Sequence, residues 1–105
     1  MRKKRLASTS LIAAVLTWTG PAASNDIAYG EHLSGECATC HRKDGLEKGI
    51  PAIIGWPADQ FVAVLKSYKA KVRTHDLMRT IAGRLSDEEM TALAAYYATL
   101  KPPAN

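Results

Sequence analysis

The 105-residue chain has only two cysteines, Cys37 and Cys40, and only three histidines, His32, His41 and His75. A closed structural zinc site normally needs a second ligand pair at its own short spacing, and none is present. No strand-rich pattern surrounds Cys37, so the βαβ setting of a thioredoxin-like redox pair is missing. No internal repeat or low-complexity segment interrupts the chain. The longest apolar stretch, Leu6 to Trp18, is softened by Ser8, Thr9, Ser10 and Thr17 and falls short of the ~20 residues that a bilayer requires. Excess charge is also missing from the body of the chain. The formal net charge is +4, but Arg2, Lys3, Lys4 and Arg5 stand at the extreme N-terminus, and without them ten basic residues face ten acidic ones. The basic balance of the whole chain is therefore no argument for nucleic-acid binding.

Those four N-terminal cations, the short apolar stretch after them, the break at Gly20-Pro21 and the small residues Ala22-Ala23-Ser24 have the order of a secretory signal. We expect residues 1–24 to be a signal peptide cut before Asn25, and residues 25–105 to be the exported domain. The competing reading is a retained membrane anchor. Export from a Gram-negative cell would place the domain in the periplasm, with no stable membrane insertion after cleavage. The 81 residues from 25 to 105 bury only a modest core by themselves.

What the chain does have is Cys37-Ala38-Thr39-Cys40-His41. C-x-x-C-H is an attachment signature for c-type haem. Two thiols separated by two residues reach two vinyl groups of one porphyrin, and the following histidine is carried beneath the ring, where its imidazole binds iron. A plain disulfide would leave His41 unexplained. The motif occurs once, so one haem c is expected, supplying much of the apolar centre of so small a domain.

The rest of the chain reads as helices. Asn25 or Asp26 suits the cap of a first helix through Leu33. Gly30 within it costs about 1 kcal/mol relative to Ala, which suggests a close neighbour. His32 reads as a surface or partly packed histidine. After a polar loop from Arg42 to Gly49 comes the irregular apolar run Ile50 to Gly55, where a backbone carbonyl at Pro51 is placed to accept the Nδ1 proton of His41; an ordinary loop proline is the alternative. Pro57 suits the first turn of a second helix, on which Phe61, Val64, Leu65 and Tyr68 recur at i, i+3, i+4 and i+7. Trp56 is a candidate for the pocket edge. Lys66, Lys69, Lys71, Arg73, Arg79 and Arg84 face a single acid, Asp76, and read either as a solvated face or as a cationic rim that steers an acidic redox partner. Ser86-Asp87-Glu88-Glu89 is a capping box opening a last helix with Met90, Leu93, Ala94, Tyr97 and Leu100 on one stripe and Tyr96 at its edge, closed by Pro102-Pro103.

The second axial position is open to three readings on these residues. Met78, in a short segment between helices, is one candidate and His75 another. The third is an open position, which would suit an enzyme or a gas sensor. Met90 falls on a packed helical face, where methionine fills core space.

With Gly30, CATCH, Gly49-Ile50-Pro51, Met78, and Leu85 to Glu89 followed by Leu93-Ala94-Ala95-Tyr96-Tyr97, the chain resembles the class I c-type cytochromes over essentially the whole of residues 25–105. The resemblance implies an all-α cytochrome c fold, with three to four helices around one covalent haem, and an electron carrier rather than an enzyme. It further implies thioether bonds at Cys37 and Cys40, axial ligation by His41 and Met78, Pro51 as the carbonyl partner of His41, and a tight crossing of Gly30 against Leu93 and Tyr96. Within that family, Met78 through Glu89 is similar to the haem subunit of flavocytochrome c sulfide dehydrogenase. That likeness implies a flavoprotein among the redox partners. A free carrier serving a terminal oxidase or reductase is the alternative, and Trp56, where these relatives often carry Gln, departs from the pattern.

Overall fold

The computed structural model describes residues 10–15 and 22–102. Four helices and no strand occur among the described residues: α1 (Ala22–Cys37), α2 (Ala58–Lys69), α3 (Asp76–Gly83) and α4 (Asp87–Thr99). The all-α expectation holds. Most of the expected signal peptide lies outside the described residues. Of it, residues 10–15 have no regular structure, and Leu11, Ile12 and Val15 are at least 81% exposed. The backbone of α1 begins at Ala22, ahead of the Asn25 or Asp26 cap expected from the sequence. Alanine is the strongest helix former, and Ala22 and Ala23 extend the helix backwards through that position.

α4 is the central element, packed against both α1 and α2. Its capping box is complete. Ser86 Oγ accepts from the Glu89 N–H at 3.1 Å, and Glu89 Oε1 accepts from the Ser86 N–H at 3.0 Å. Met90, Ala92, Leu93, Ala94, Tyr96 and Tyr97 are all buried, so the apolar face is wider than the expected stripe and takes in Tyr96 fully. The reason is that α4 has two partners rather than one, and each covers a different side of the helix.

Gly30 is where α1 touches α4. A Cβ built on it would stand 2.0 Å from the Ala92 carbonyl oxygen and 2.7 Å from Tyr96 Cβ. Only glycine permits that approach. The nearest atoms belong to the Ala92 backbone and to Tyr96, the latter as expected at this crossing. Leu93, the next residue, lines the cleft described below.

Pro57 stands at the N-cap of α2 with ψ 133°, one residue before the first turn where the sequence suggests it, and its carbonyl accepts from the Phe61 N–H at 3.1 Å. At the other end of α2 the chain reverses in a Schellman arrangement. The Val72 N–H donates to Ser67 O and the Lys71 N–H to Tyr68 O, with Lys71 in the left-handed region at φ 61°. The short segment between helices that carries Met78 is itself a helix, α3. His75 caps it, its Nδ1 accepting from the Met78 N–H at 3.3 Å. A histidine cap is uncommon, which is why the start of this helix is not apparent from the residues alone.

Candidate haem site

Cys37 is the last residue of α1, and the next four residues coil tightly beneath it. The Ala38 N–H donates to Ser34 O, and both the Cys40 and His41 N–H groups donate to Cys37 O. This turn brings Cys37, Cys40 and His41 to one wall of a cleft. Cys37 and Cys40 are not joined to each other as a disulfide. Burial, with Glu36 alongside, pushes the Cys37 thiol up, the opposite of the depressed thiol that a C-x-x-C redox centre uses.

His41 is oriented from behind. Its Nδ1 lies 2.7 Å from the Pro51 carbonyl oxygen. A carbonyl can only accept, so the proton sits on Nδ1 and donates to it, leaving the Nε2 lone pair as the available ligand. The loop that presents this carbonyl is held along its length. Arg42 pairs with Asp44 and holds its carboxyl down at about 2, and the Leu46 N–H donates to Asp44 Oδ1. Glu47 Oε1 accepts from the Ala52 N–H, and the Gly55 N–H donates to Tyr97 O. Gly49, at φ 79°, makes the left-handed bend just before Ile50-Pro51.

The cleft measures about 270 Å³. Besides Cys37, Cys40 and His41 it is lined by Ile50, Pro51, Ile53 and Trp56 from the loop, by Phe61, Val64, Leu65 and Tyr68 from α2, and by Leu77, Met78 and Ile81 from α3. Leu85 and Leu93 complete it. Its walls are shaped for a bulky apolar group. Trp56 stands at its edge against Phe61, ring centroids 6.2 Å apart, and Phe61 stacks on Tyr97 at 5.3 Å. The Tyr97 hydroxyl is buried without a hydrogen-bond partner among the described residues, and burial beside Cys37 and Tyr96 pushes this phenol up.

Met78 and His75 both line the cleft, whereas His32 is exposed on α1 and does not. The His75 Nδ1 is already engaged in capping α3. Among the described residues no cluster of three or more His, Cys, Asp or Glu gathers to hold a bare metal ion. The cationic stretch is less free than the sequence suggests. Arg84 pairs with Glu36 at 2.5 Å, Lys69 Nζ donates to Leu85 O, and Arg79 donates to two carbonyls. Arg73 lies over the Tyr68 ring, 5.9 Å from its centroid. The sequence does not reveal these uses, because each depends on a partner far along the chain or on a turn geometry.

Two thiols, an oriented imidazole and a thioether on one apolar cleft are a donor set that fits haem c. The group supplies an iron that cycles between two oxidation states. Comparison with known proteins agrees. The Cytochrome c family model matches residues 27–101. The "Thiosulfate dehydrogenase electron acceptor" of Stutzerimonas stutzeri is 36% identical over 64% of this chain, which spans only 32% of that protein's length. "Cytochrome c-554(548)" of Halomonas halodenitrificans is 35% identical over 72% of this chain and 98% of its own. The "Cytochrome subunit of sulfide dehydrogenase" of Chlorobaculum tepidum is 34% identical over 78% of this chain and 80% of its own. Among solved structures, reduced cytochrome c4 from Pseudomonas stutzeri superposes with a TM-score of 0.68 at 26% identity, covering 74% of this chain and 50% of that one. The chain belongs to the cytochrome c family, whose chemistry is one-electron transfer through covalently bound haem c.

Proposed function

We propose that the chain is an exported one-electron carrier in which Cys37 and Cys40 hold a single haem, His41 and Met78 are its axial ligands, and Pro51 orients His41. The convergence of all four side chains on one apolar cleft, with His41 already tied to the Pro51 carbonyl, is the observation that carries this reading. A thioether ligand favours ferrous iron and raises the potential. The apolar walls would limit the access of water to a haem held there. Export to the periplasm with cleavage before Asn25 is supported by the order of N-terminal cations, short apolar stretch and small residues. No helix among the described residues is long and apolar enough to cross a membrane.

The donor is a dehydrogenase of reduced sulfur compounds. Relatives named for thiosulfate and for sulfide dehydrogenases support this, and for sulfide the partner would be a flavoprotein subunit. Lys66, Lys71 and Arg73, exposed beside the cleft, would steer an acidic partner surface, with association weakening as salt rises. A second reading is a free carrier between larger complexes, favoured by the 98% coverage of cytochrome c-554(548).

Optical spectra of the mature protein test the ligation. A far-red ferric methionine–iron band and no carbon monoxide adduct are expected, and Met78→Ala should lose the band and bind carbon monoxide. A wild-type protein that binds carbon monoxide readily would sink the His41/Met78 assignment and favour an open-site enzyme or gas sensor. Stopped-flow reduction by purified sulfide or thiosulfate dehydrogenase then separates the partner readings; reduction by neither leaves the free carrier.

A further inference from the structure

The turn from α2 into α3 contains a conformation that its own sequence disfavours. Lys71 occupies the left-handed C′ position of the Schellman arrangement at φ 61°, where glycine is usual and a side chain costs about 1–2 kcal/mol. That strain needs a compensating contact, and Arg79 provides one from α3. Its Nη2 donates to the Lys71 carbonyl at 2.9 Å and its Nε to the Arg73 carbonyl at 2.6 Å. One planar guanidinium thereby bridges both ends of the turn, a two-point grip that its fixed fork geometry allows. Arg79 directly follows Met78, on a helix of only eight residues. The other side-chain tethers on this helix are the His75 cap at its start and the Thr80 bond to Asp76 O, and Lys69 grips Leu85 O just beyond its end.

We propose that Arg79 is a positioning residue for the distal ligand: by clamping the strained Lys71–Arg73 turn onto α3, it holds Met78 over the cleft and keeps the iron closed to outside ligands. This rests on the reading of Met78 as axial ligand. The logic is a population shift. The Met78-bound and Met78-released forms interconvert, an added imidazole binds only the released form, and its apparent affinity reports the fraction released. Arg79 biases that equilibrium because both of its bonds bind carbonyls of the turn that leads into the ligand helix. Bonds from a charged donor are among the stronger ones, though at an exposed site their effect is reduced.

The test is imidazole titration of the ferric holoprotein, with the far-red methionine–iron band and the reduction potential as parallel readouts. Four forms are compared: wild type, Arg79→Ala, Arg79→Lys and Met78→Ala. Arg79→Ala should bind imidazole about five- to tenfold more tightly than wild type, with a weaker far-red band and a lower potential. Arg79→Lys, which keeps the charge but offers a single donor group, should fall between the two. Ser86→Ala is the control. It weakens the α4 cap and overall stability without touching the turn, and should leave imidazole affinity at the wild-type value. If Arg79→Ala fails to accumulate as holoprotein, the comparison of Arg79→Lys with wild type decides. Wild-type imidazole affinity in the Arg79 variants, with Met78→Ala much tighter, overturns the clamp while leaving Met78 ligation standing. Equal affinity in wild type and Met78→Ala overturns the ligation reading itself. An equal change in Arg79→Ala and Ser86→Ala would reduce Arg79 to a general contributor to stability.

Discussion

The two helical contacts that frame the cleft are built differently. Where α1 crosses α4, backbone meets backbone, Gly30 against the Ala92 carbonyl, beside the buried Tyr96. Where α2 turns into α3, Ala82 is buried in the core, but the tethers of the turn itself are exposed and polar: a guanidinium on two carbonyls, a lysine on a third and a histidine cap. The first contact leads straight into Cys37, so the attachment side of the site stands on close-packed core. The second carries Met78 on hydrogen bonds that water can contest. Buried packing holds its geometry rigidly, whereas an exposed polar frame opens at lower cost. The proximal wall is accordingly the rigid half of the site, and the distal wall is the half that can move.

The largest expected effect falls on the rigid half. Gly30→Ala drives a methyl into the Ala92 carbonyl, and since that obstacle is backbone it cannot swing aside. We expect a loss of about 3 kcal/mol in denaturant unfolding of the holoprotein. A change below about 0.5 kcal/mol would mean that the crossing is looser than the contrast between the two walls requires. Ser86→Ala removes one arm of the α4 capping box, and a loss of about 1 kcal/mol is expected in the same assay. Lys71→Gly acts on the movable half in the opposite direction. It relieves the left-handed strain and should stabilise the holoprotein by about 0.5–1 kcal/mol, the gain being limited by the added freedom of the unfolded chain. Destabilisation there would show that the turn is not strained as its backbone suggests.

The smallest effect is a pH dependence. Hydrogen bonds from Ser86, backbone first and then side chain, hold the Glu89 carboxyl below its ordinary range. Because the folded value is the lower one, the contribution of Glu89 is complete above the unfolded value of about 4.3 and fades as pH falls through the folded value. Thermal midpoints of wild type and Glu89→Gln should therefore differ at pH 7 and converge in acid. A gap that persists undiminished at about pH 2 would remove the carboxylate from the account.

Features that depend on neighbours along the chain are legible in the sequence. Four consecutive residues carry the Ser86–Glu89 capping box, and four positions on one helical face identify α2. Gly30 is recognisable as a point of close approach, because a mid-helix glycine is costly unless something requires it. The Ala92 carbonyl as the nearest obstacle is not, because a backbone atom's approach depends on how α4 sits against α1 and leaves no mark in the side-chain sequence. The helix α3 is hidden in the sequence because its cap is a histidine, although Leu77, Met78, Ile81 and Ala82 do follow helical spacing. The cations that read as a rim are partly internal clamps, since a charge in sequence carries no record of which carbonyl it will meet.

By itself, then, the sequence determined the cofactor chemistry and the fold class. C-x-x-C-H compresses the attachment signature into five residues, and period and caps identify helices locally. Tertiary structure alone decided the frame around that chemistry: the Ala92 carbonyl against Gly30, the strained turn gripped by Arg79 and the hydroxyl of Tyr97 buried beside Cys37. Each of these joins groups brought together by helix packing, and the orientation of packed helices is a collective property of the whole core that no short stretch of the chain encodes.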